Sequence, residues 1–147
     1  MAHWLLKTEP EQYAFEDLLR DGTTAWSGVR NSQAQQNLRS MKEGDWAIIY
    51  HSGDKLAMGV AQVVREAYRD PAAGTEGLVC VDVRAARSLP APVPLEAIKQ
   101  EPAFAGSALL RQGRLSVVPL SPAEWEDLLQ LSEVIAKTGG LRRKKRF

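Results

Sequence analysis

The chain has 147 residues, 44% of them hydrophobic and 25% charged, which is enough to bury the core of one domain and excludes a disordered composition. Its formal net charge is +1, yet five of the 19 basic residues are concentrated in Arg142-Arg143-Lys144-Lys145-Arg146, leaving residues 1–141 with 14 basic against 18 acidic, a balance of −4. A polyanionic partner must therefore be gripped by a local cleft, by the basic run, or by both, and not by a globally positive surface.

Taken in chain order, Ala2 to Leu6 reads as a strand stopped by Glu9-Pro10. A short helix from Phe15 to Arg20 puts Phe15, Leu18 and Leu19 on one side and ends at Gly22. Ser32 to Met41 has helical spacing at Ala34, Leu38 and Met41, and Trp46-Ala47-Ile48-Ile49-Tyr50 is strand-like through its β-branched and aromatic residues. After a turn at Ser52-Gly53-Asp54, further strands are expected over Leu56 to Val64 and Leu78 to Val83, separated by a loop at Asp70-Pro71-Ala72-Ala73-Gly74. Leu89 to Pro94 holds three prolines and should run extended.

Short helices follow at Leu95 to Lys99 and Ser107 to Arg111, then a last strand over Arg114 to Val118, closed by Pro119. The clearest helix start is Ser121-Pro122-Ala123-Glu124, a serine cap with proline at the first helical position and glutamate three residues after the cap. From there Trp125, Leu128, Leu131 and Ile135 form an apolar stripe that Gly139-Gly140 terminates. Five or six strands broken by short helices, without regular α/β alternation, predict an α+β fold: a strongly bent mixed sheet or open barrel with helices around it. One domain over residues 1–141 and a flexible basic tail over 142–147 are the expected organisation.

Several chemistries are excluded at this level. Cys80 is the only cysteine, so neither an internal disulfide nor a thiolate cluster can form, and it reads as a small buried hydrophobe. With two histidines besides, no zinc-spaced ligand set exists, and no glycine-rich phosphate loop is present, so neither metal nor cofactor is expected. No apolar run is long enough for a membrane span, and Met1 to Lys7 is too short and too soon charged for a secretory signal. The expected setting is cytoplasmic, or associated with the nucleoid or nucleus, and the expected state is a monomer.

Two polar-aromatic runs carry the functional signal: Trp26-Ser27-Gly28-Val29-Arg30-Asn31 and Tyr50-His51-Ser52. Together they offer a flat ring, a fork of donors, an amide and an imidazole, the set that holds a planar hydrogen-bonding ligand such as a nucleobase. Trp26, followed by Ser-Gly that breaks any regular element, is the candidate stacking platform, whereas Trp4, Trp46 and Trp125 lie in periodic segments and are assigned to packing. The alternative for Trp26 is a core position. Gly28 permits close backbone approach or simply a turn; Arg30 forks onto phosphate or a base carbonyl, or is a solvated surface residue. Asn31 reads a base edge or caps the following helix. His51 and Ser52 point to opposite faces of the strand end and cannot form a nucleophile-base pair, so His51 either donates to the ligand or makes a structural bond.

Taken together, Trp4-Leu5-Leu6-Lys7-Thr8-Glu9-Pro10, Trp26 to Asn31, Gly44-Asp45, Tyr50-His51-Ser52, Val81-Asp82-Val83 and Arg114-Leu115-Ser116-Val117 resemble the EVE domain family, within the PUA-like superfamily, in order and over nearly the whole chain. The resemblance implies a PUA-like pseudo-barrel that binds nucleic acid, DNA or RNA, and captures an extruded, modified base such as a modified cytosine. It matches the family's pocket at Trp26, Gly28, Val29, Arg30, Asn31, Tyr50, His51 and Ser52, with Lys7 and Arg114 in flanking motifs. Ser27, Ser32 and the short 71–78 stretch depart from the family's pattern of an acidic residue or asparagine, an aromatic, and a longer insertion ending in tryptophan.

The expectation that follows is a non-catalytic reader. Trp26 and Tyr50 stack on the base, Asn31 and Ser52 contact its edge beside Gly28 and Val29, and Lys7, Arg30, His51 and Arg114 hold backbone phosphates. The alternative is a small enzyme acting on modified nucleobases or nucleotides, with Glu9 or Asp82 as general acid or base.

Overall fold

A computed structural model of the chain describes residues 1–74 and 77–139; the basic run 142–146 lies outside the described residues. Along the chain run strands β1 (His3–Thr8), β2 (Thr23–Trp26), β3 (Trp46–His51), β4 (Leu56–Arg69), β5 (Val79–Pro94) and β6 (Val117–Leu120). Helices α1 (Phe15–Asp21), α2 (Ser32–Ser40), α3 (Leu95–Lys99) and α4 (Ala108–Arg111) lie in the connections and α5 (Pro122–Thr138) follows β6, with 3₁₀ turns at Pro71–Ala73 and Pro102–Phe104. The strands form one mixed sheet in the order β2-β5-β4-β3-β1-β6, with β1 parallel to β3 and every other pair antiparallel. No helix of the described residues is long and apolar enough to cross a membrane.

β3 is the spine. Ala47 to His51 are all buried, so the strand is covered on both faces and reads as a continuous apolar run instead of an alternating one. β1 lies beside it with Leu5 opposite Ile48, and Asp45 ties the two starts together. Its carboxylate accepts from the Trp4 indole N–H at 3.0 Å and from the backbone N–H groups of Ala2 at 3.1 Å and Lys42 at 3.0 Å, which satisfies an otherwise costly buried charge. α1 seats Phe15 directly over β4 at Gly59: a Cβ there would lie 2.1 Å from Phe15 Cζ, so only glycine lets the ring approach. Trp125, at the start of α5, stacks on His3 with ring centroids 4.6 Å apart.

The structure departs from the sequence reading in four strands, the simplest case being β4, which runs past the expected end at Val64 to Arg69 because β5 pairs with it as far as Val79. β2 was not foreseen; its four residues are too few to show a period, and its partner lies far away on β5, Trp26 opposite Val81. The expected strand at Leu78 to Val83 and the proline-rich extended segment are one strand, β5. Its prolines are tolerated because Pro90 and Pro92 fall where the register jumps: β4 advances from Ala57 to Gly59 while β5 spans from Val93 to Ser88. In that bulge the Ser132 hydroxyl of α5 accepts from Ala91 N–H at 3.0 Å and donates to Ala91 C=O at 2.6 Å, replacing the missing strand partner. The last strand begins at Val117, not Arg114, and includes Pro119, which an edge strand accommodates.

Candidate functional site

β2 lies at one edge of the sheet and β1 and β6 at the other. A single cavity of about 660 Å³ nevertheless touches the ends of β1 and β2 and the turn leading into β6, so the sheet curls until its margins face one another. β1 contributes Lys7 and Thr8, and the turn after it Glu9, Gln12 and Tyr13. The β2 side supplies Thr24, Ala25 and Trp26, followed by Ser27 to Arg30. Ser52 closes one side, and Gly113, Arg114 and Ser116 another.

The loop from Ser27 to Arg30 is held from behind by two buried polar side chains. Asp70, only 1% exposed, accepts from Gly28 N–H at 2.9 Å through Oδ2 and from Ala72 N–H at 2.9 Å through Oδ1. One carboxylate thus ties the cavity loop to the 3₁₀ turn at Pro71–Ala73. Gly28 adopts φ +80°, the left-handed region that glycine enters without a Cβ penalty, and this turns its N–H toward Asp70. Gln35 of α2 donates from Nε2 to the carbonyls of Val29 at 2.7 Å and Val79 at 3.0 Å, while its Oε1 accepts from Val79 N–H at 2.8 Å. The amide spends its capacity clamping the loop to β5.

The aromatic wall is Trp26 with Tyr13, edge to face with centroids 6.3 Å apart. Trp26 is 7% exposed and belongs to the core as well as the cavity, whereas Tyr13 is half-buried. Burial raises the Tyr13 hydroxyl above the usual phenol range; a hydrogen bond with Thr24 works against the rise, and Asp21, accepting that hydroxyl at 2.9 Å, adds to it. Lys7 is half-buried, donates to Gly113 C=O at 2.8 Å and lies 5.9 Å from the Tyr50 ring centroid. Burial lowers its ammonium below the ordinary lysine range. The cavity therefore combines an apolar aromatic side with a cationic margin of Lys7, Arg30 and Arg114, and one carboxylate, Glu9.

The EVE domain profile matches residues 2–131, nearly the whole of the described chain. The chain belongs to the EVE domain family. Human thymocyte nuclear protein 1 is 33% identical over 90% of this chain and 74% of that protein. The crystal structure of human THYN1 protein in complex with 5-methylcytosine containing DNA superposes with a TM-score of 0.81 at 33% identity, covering 90% of this chain and 98% of that one. A YTH domain from Zygosaccharomyces rouxii, in complex with N6-methyladenosine RNA, superposes at TM-score 0.56 and 14% identity over 89% of this chain and 86% of that one, a likeness of PUA-like fold alone.

Seven of the ten residues that the sequence nominates line this EVE domain's cavity: Lys7, Trp26, Gly28, Val29, Arg30, Ser52 and Arg114. Trp26 does so from within the core and not as an open plate. Three do not line it. Asn31 caps α2, its Oδ1 accepting from Ala34 N–H at 2.9 Å, the alternative its sequence context left open. Tyr50 is 3% exposed in the middle of the sheet, where burial raises its phenol pKa.

His51 is 4% exposed, and its Nε2 accepts from Phe15 N–H at 2.9 Å, so that nitrogen carries no proton to donate to a phosphate; Nδ1 faces Asp54 Oδ2 at 3.9 Å. The reason is shared: β3 is buried on both faces, and the sequence pattern of a half-buried strand end does not apply to it. As expected, His51 and Ser52 diverge, one into the core and the other onto the cavity.

Sequence reasoning missed Tyr13 and Gln12 on the cavity wall and the clamps Asp70 and Gln35. Asp70 had a readable signal: aspartate before proline is a turn-capping pattern, and it caps the 3₁₀ turn as that pattern implies. Its reach across 42 residues to Gly28 had none. Cys80 is fully buried on β5, as its alternation suggested.

Proposed function

We propose that this EVE domain is a non-catalytic reader that captures a modified nucleobase, of the kind represented by 5-methylcytosine, extruded from DNA or RNA. The observation that carries the reading is the pairing, in one cavity, of an aromatic side (Trp26, Tyr13) with a cationic margin (Lys7, Arg30, Arg114). A base needs an apolar face for its ring, and the strand on either side of it needs positive charge. At about 660 Å³ the cavity falls within the range of pockets that enclose small ligands, about 300–1,000 Å³. The human relative crystallised with 5-methylcytosine containing DNA supports the same ligand class.

In this reading Trp26 forms the floor and Tyr13 the accessible wall, while Gly28 and Val29 bring backbone close and Ser52 contacts the base edge. The chain would act as a monomer on nucleic acid in the cytoplasm, nucleoid or nucleus. Extrusion costs a few kcal/mol of stacking and pairing, so mismatched or single-stranded sites are favoured alongside modified ones. Hydrolytic chemistry has little support. Glu9 is the one carboxylate on the cavity wall among the described residues, and Asp82 stands elsewhere, accepting the Tyr68 hydroxyl. A glycosidic mechanism calls for a pair of carboxyl groups facing the bond.

The test is a titration against oligonucleotides that differ only in a cytosine modification. Wild type should prefer the modified strand, and Trp26→Ala or the better tolerated Tyr13→Ala should weaken binding by roughly 10- to 100-fold, in line with about 1–3 kcal/mol for a base-aromatic stack. Equal affinity for all strands, unchanged in both variants, rejects the reading, and product formation on incubation would establish the enzyme instead.

A further inference from the structure

Among the groups on the cavity wall Glu9 is chemically singular. The hydroxyls of Thr8, Thr24, Ser27, Ser52 and Ser116 can each donate or accept, whereas an ionised carboxylate only accepts. Glu9 begins the turn that leaves β1, and its backbone is pinned: its carbonyl accepts from Gln12 N–H and Tyr13 N–H, both at 2.9 Å. Its side chain is not. Among the described residues the carboxylate makes no hydrogen bond and no ion pair, and it rests against the backbone of Gly53, where an added Cβ would come within 3.0 Å of Oε1. It therefore stands on the Ser52 side of the cavity, across a glycine that leaves it room, open to solvent and engaged by no protein donor among the described residues.

We propose that Glu9 is the residue that selects a 4-aminopyrimidine, cytosine with or without a 5-substituent, against thymine. This rests on the nucleobase reading above and adds to it which edge of the base is recognised and by what. Cytosine presents an N–H donor at position 4, which a carboxylate accepts, and thymine presents a carbonyl oxygen there, which a carboxylate repels. 5-Methylcytosine and thymine carry the same methyl group and nearly the same shape, so stacking on Trp26 and Tyr13 cannot tell them apart. The discrimination must come from hydrogen bonding, and a site built to accept a donor rejects the analogue that lacks it.

The experiment uses the full chain and four duplexes alike except for a central residue placed opposite an abasic site, so that no base pair has to be broken: cytosine, 5-methylcytosine, thymine or guanine. Wild type should bind 5-methylcytosine at least ten times more tightly than thymine. Glu9→Gln, whose amide can serve either edge, should bring the two within about twofold of each other, and Glu9→Ala should weaken 5-methylcytosine and, with the repulsion gone, bind thymine at least as tightly as wild type does. Both variants should keep the wild-type melting temperature, since Glu9 is exposed, and both should keep the 5-methylcytosine to cytosine ratio.

A tenfold preference over thymine that survives in Glu9→Gln overturns the assignment, as does a wild type that favours guanine over both cytosines. If wild type separates 5-methylcytosine from cytosine yet not from thymine, Glu9 fails while the base pocket stands. If none of the four duplexes is distinguished, the pocket reading fails and takes this proposal with it.

Discussion

Lys7 shows how position changes what a residue can do. Its side chain is drawn against the sheet by the Gly113 carbonyl, and burial lowers the affinity of its amine for a proton. The depressed value means that the positive charge disappears at lower pH than for a surface lysine, whose ordinary value is about 10.4. If Lys7 meets a phosphate, affinity for nucleic acid is full while the ammonium is protonated and falls as pH rises through the lowered value, beginning before the ordinary lysine range is reached. Lys7→Arg should flatten that decline, because guanidinium stays charged; fluorescence anisotropy from neutral to alkaline pH gives the comparison, and parallel curves for the two proteins would remove Lys7 from the contact. Asp70 acts from behind the cavity. Asp70→Ala leaves the Gly28 and Ala72 amides without their acceptor and should cost about 2 kcal/mol in chemical denaturation, with weaker binding as well, while Asp70→Asn, which keeps one oxygen, should lose less on both counts.

At the level of elements, the contact between α1 and β4 is the most demanding. Phe15 is 2% exposed and its ring occupies the space above Gly59 that any side chain would need, so Gly59→Ala should destabilise the fold by about 2 kcal/mol through overpacking, a shift visible in thermal melting. The helices were the legible part of the chain, and the reason is local. The Ser121 hydroxyl accepts from Glu124 N–H at 3.1 Å while Glu124 Oε1 accepts from Ser121 N–H at 2.7 Å, so the start of α5 is written in four adjacent residues.

Strands that depend on distant partners were harder to read. The four residues of β2 become a strand only because β5 lies beside them, and β5 survives its prolines only because Ser132 of another helix supplies the lost bonds. The cavity divides the same way. Trp26, Gly28 and Arg30 follow from a motif on one loop, while Tyr13 and the Asp70 clamp arise from contacts between segments, and Tyr50 and His51 were claimed by a core that covers β3 on both sides.

At the scale of the whole molecule, the charge distribution predicts how binding responds to salt. Residues 1–141 carry a balance of −4, so attraction for a polyanion depends on the few cations gathered at the cavity and on the basic run at 142–146. Three phosphate contacts from Lys7, Arg30 and Arg114 would give a slope of log affinity against log salt near −2.7 on duplex DNA, at about −0.9 per contact. Removing residues 142–147 should weaken binding to every sequence alike and make the slope shallower if the run adds contacts, without altering preference for a modified base; a loss of preference in the truncated chain would assign the run a role in recognition. The Asp70 bridge carries a lesson for engineering. Because a single acid fastens two stretches separated by 42 positions in the chain, the segment bearing Gly28 is not a portable cassette: grafting it onto another scaffold requires that an equivalent anchor travel with it, and redesigning the Pro71–Ala73 corner means reshaping the pocket in the same stroke.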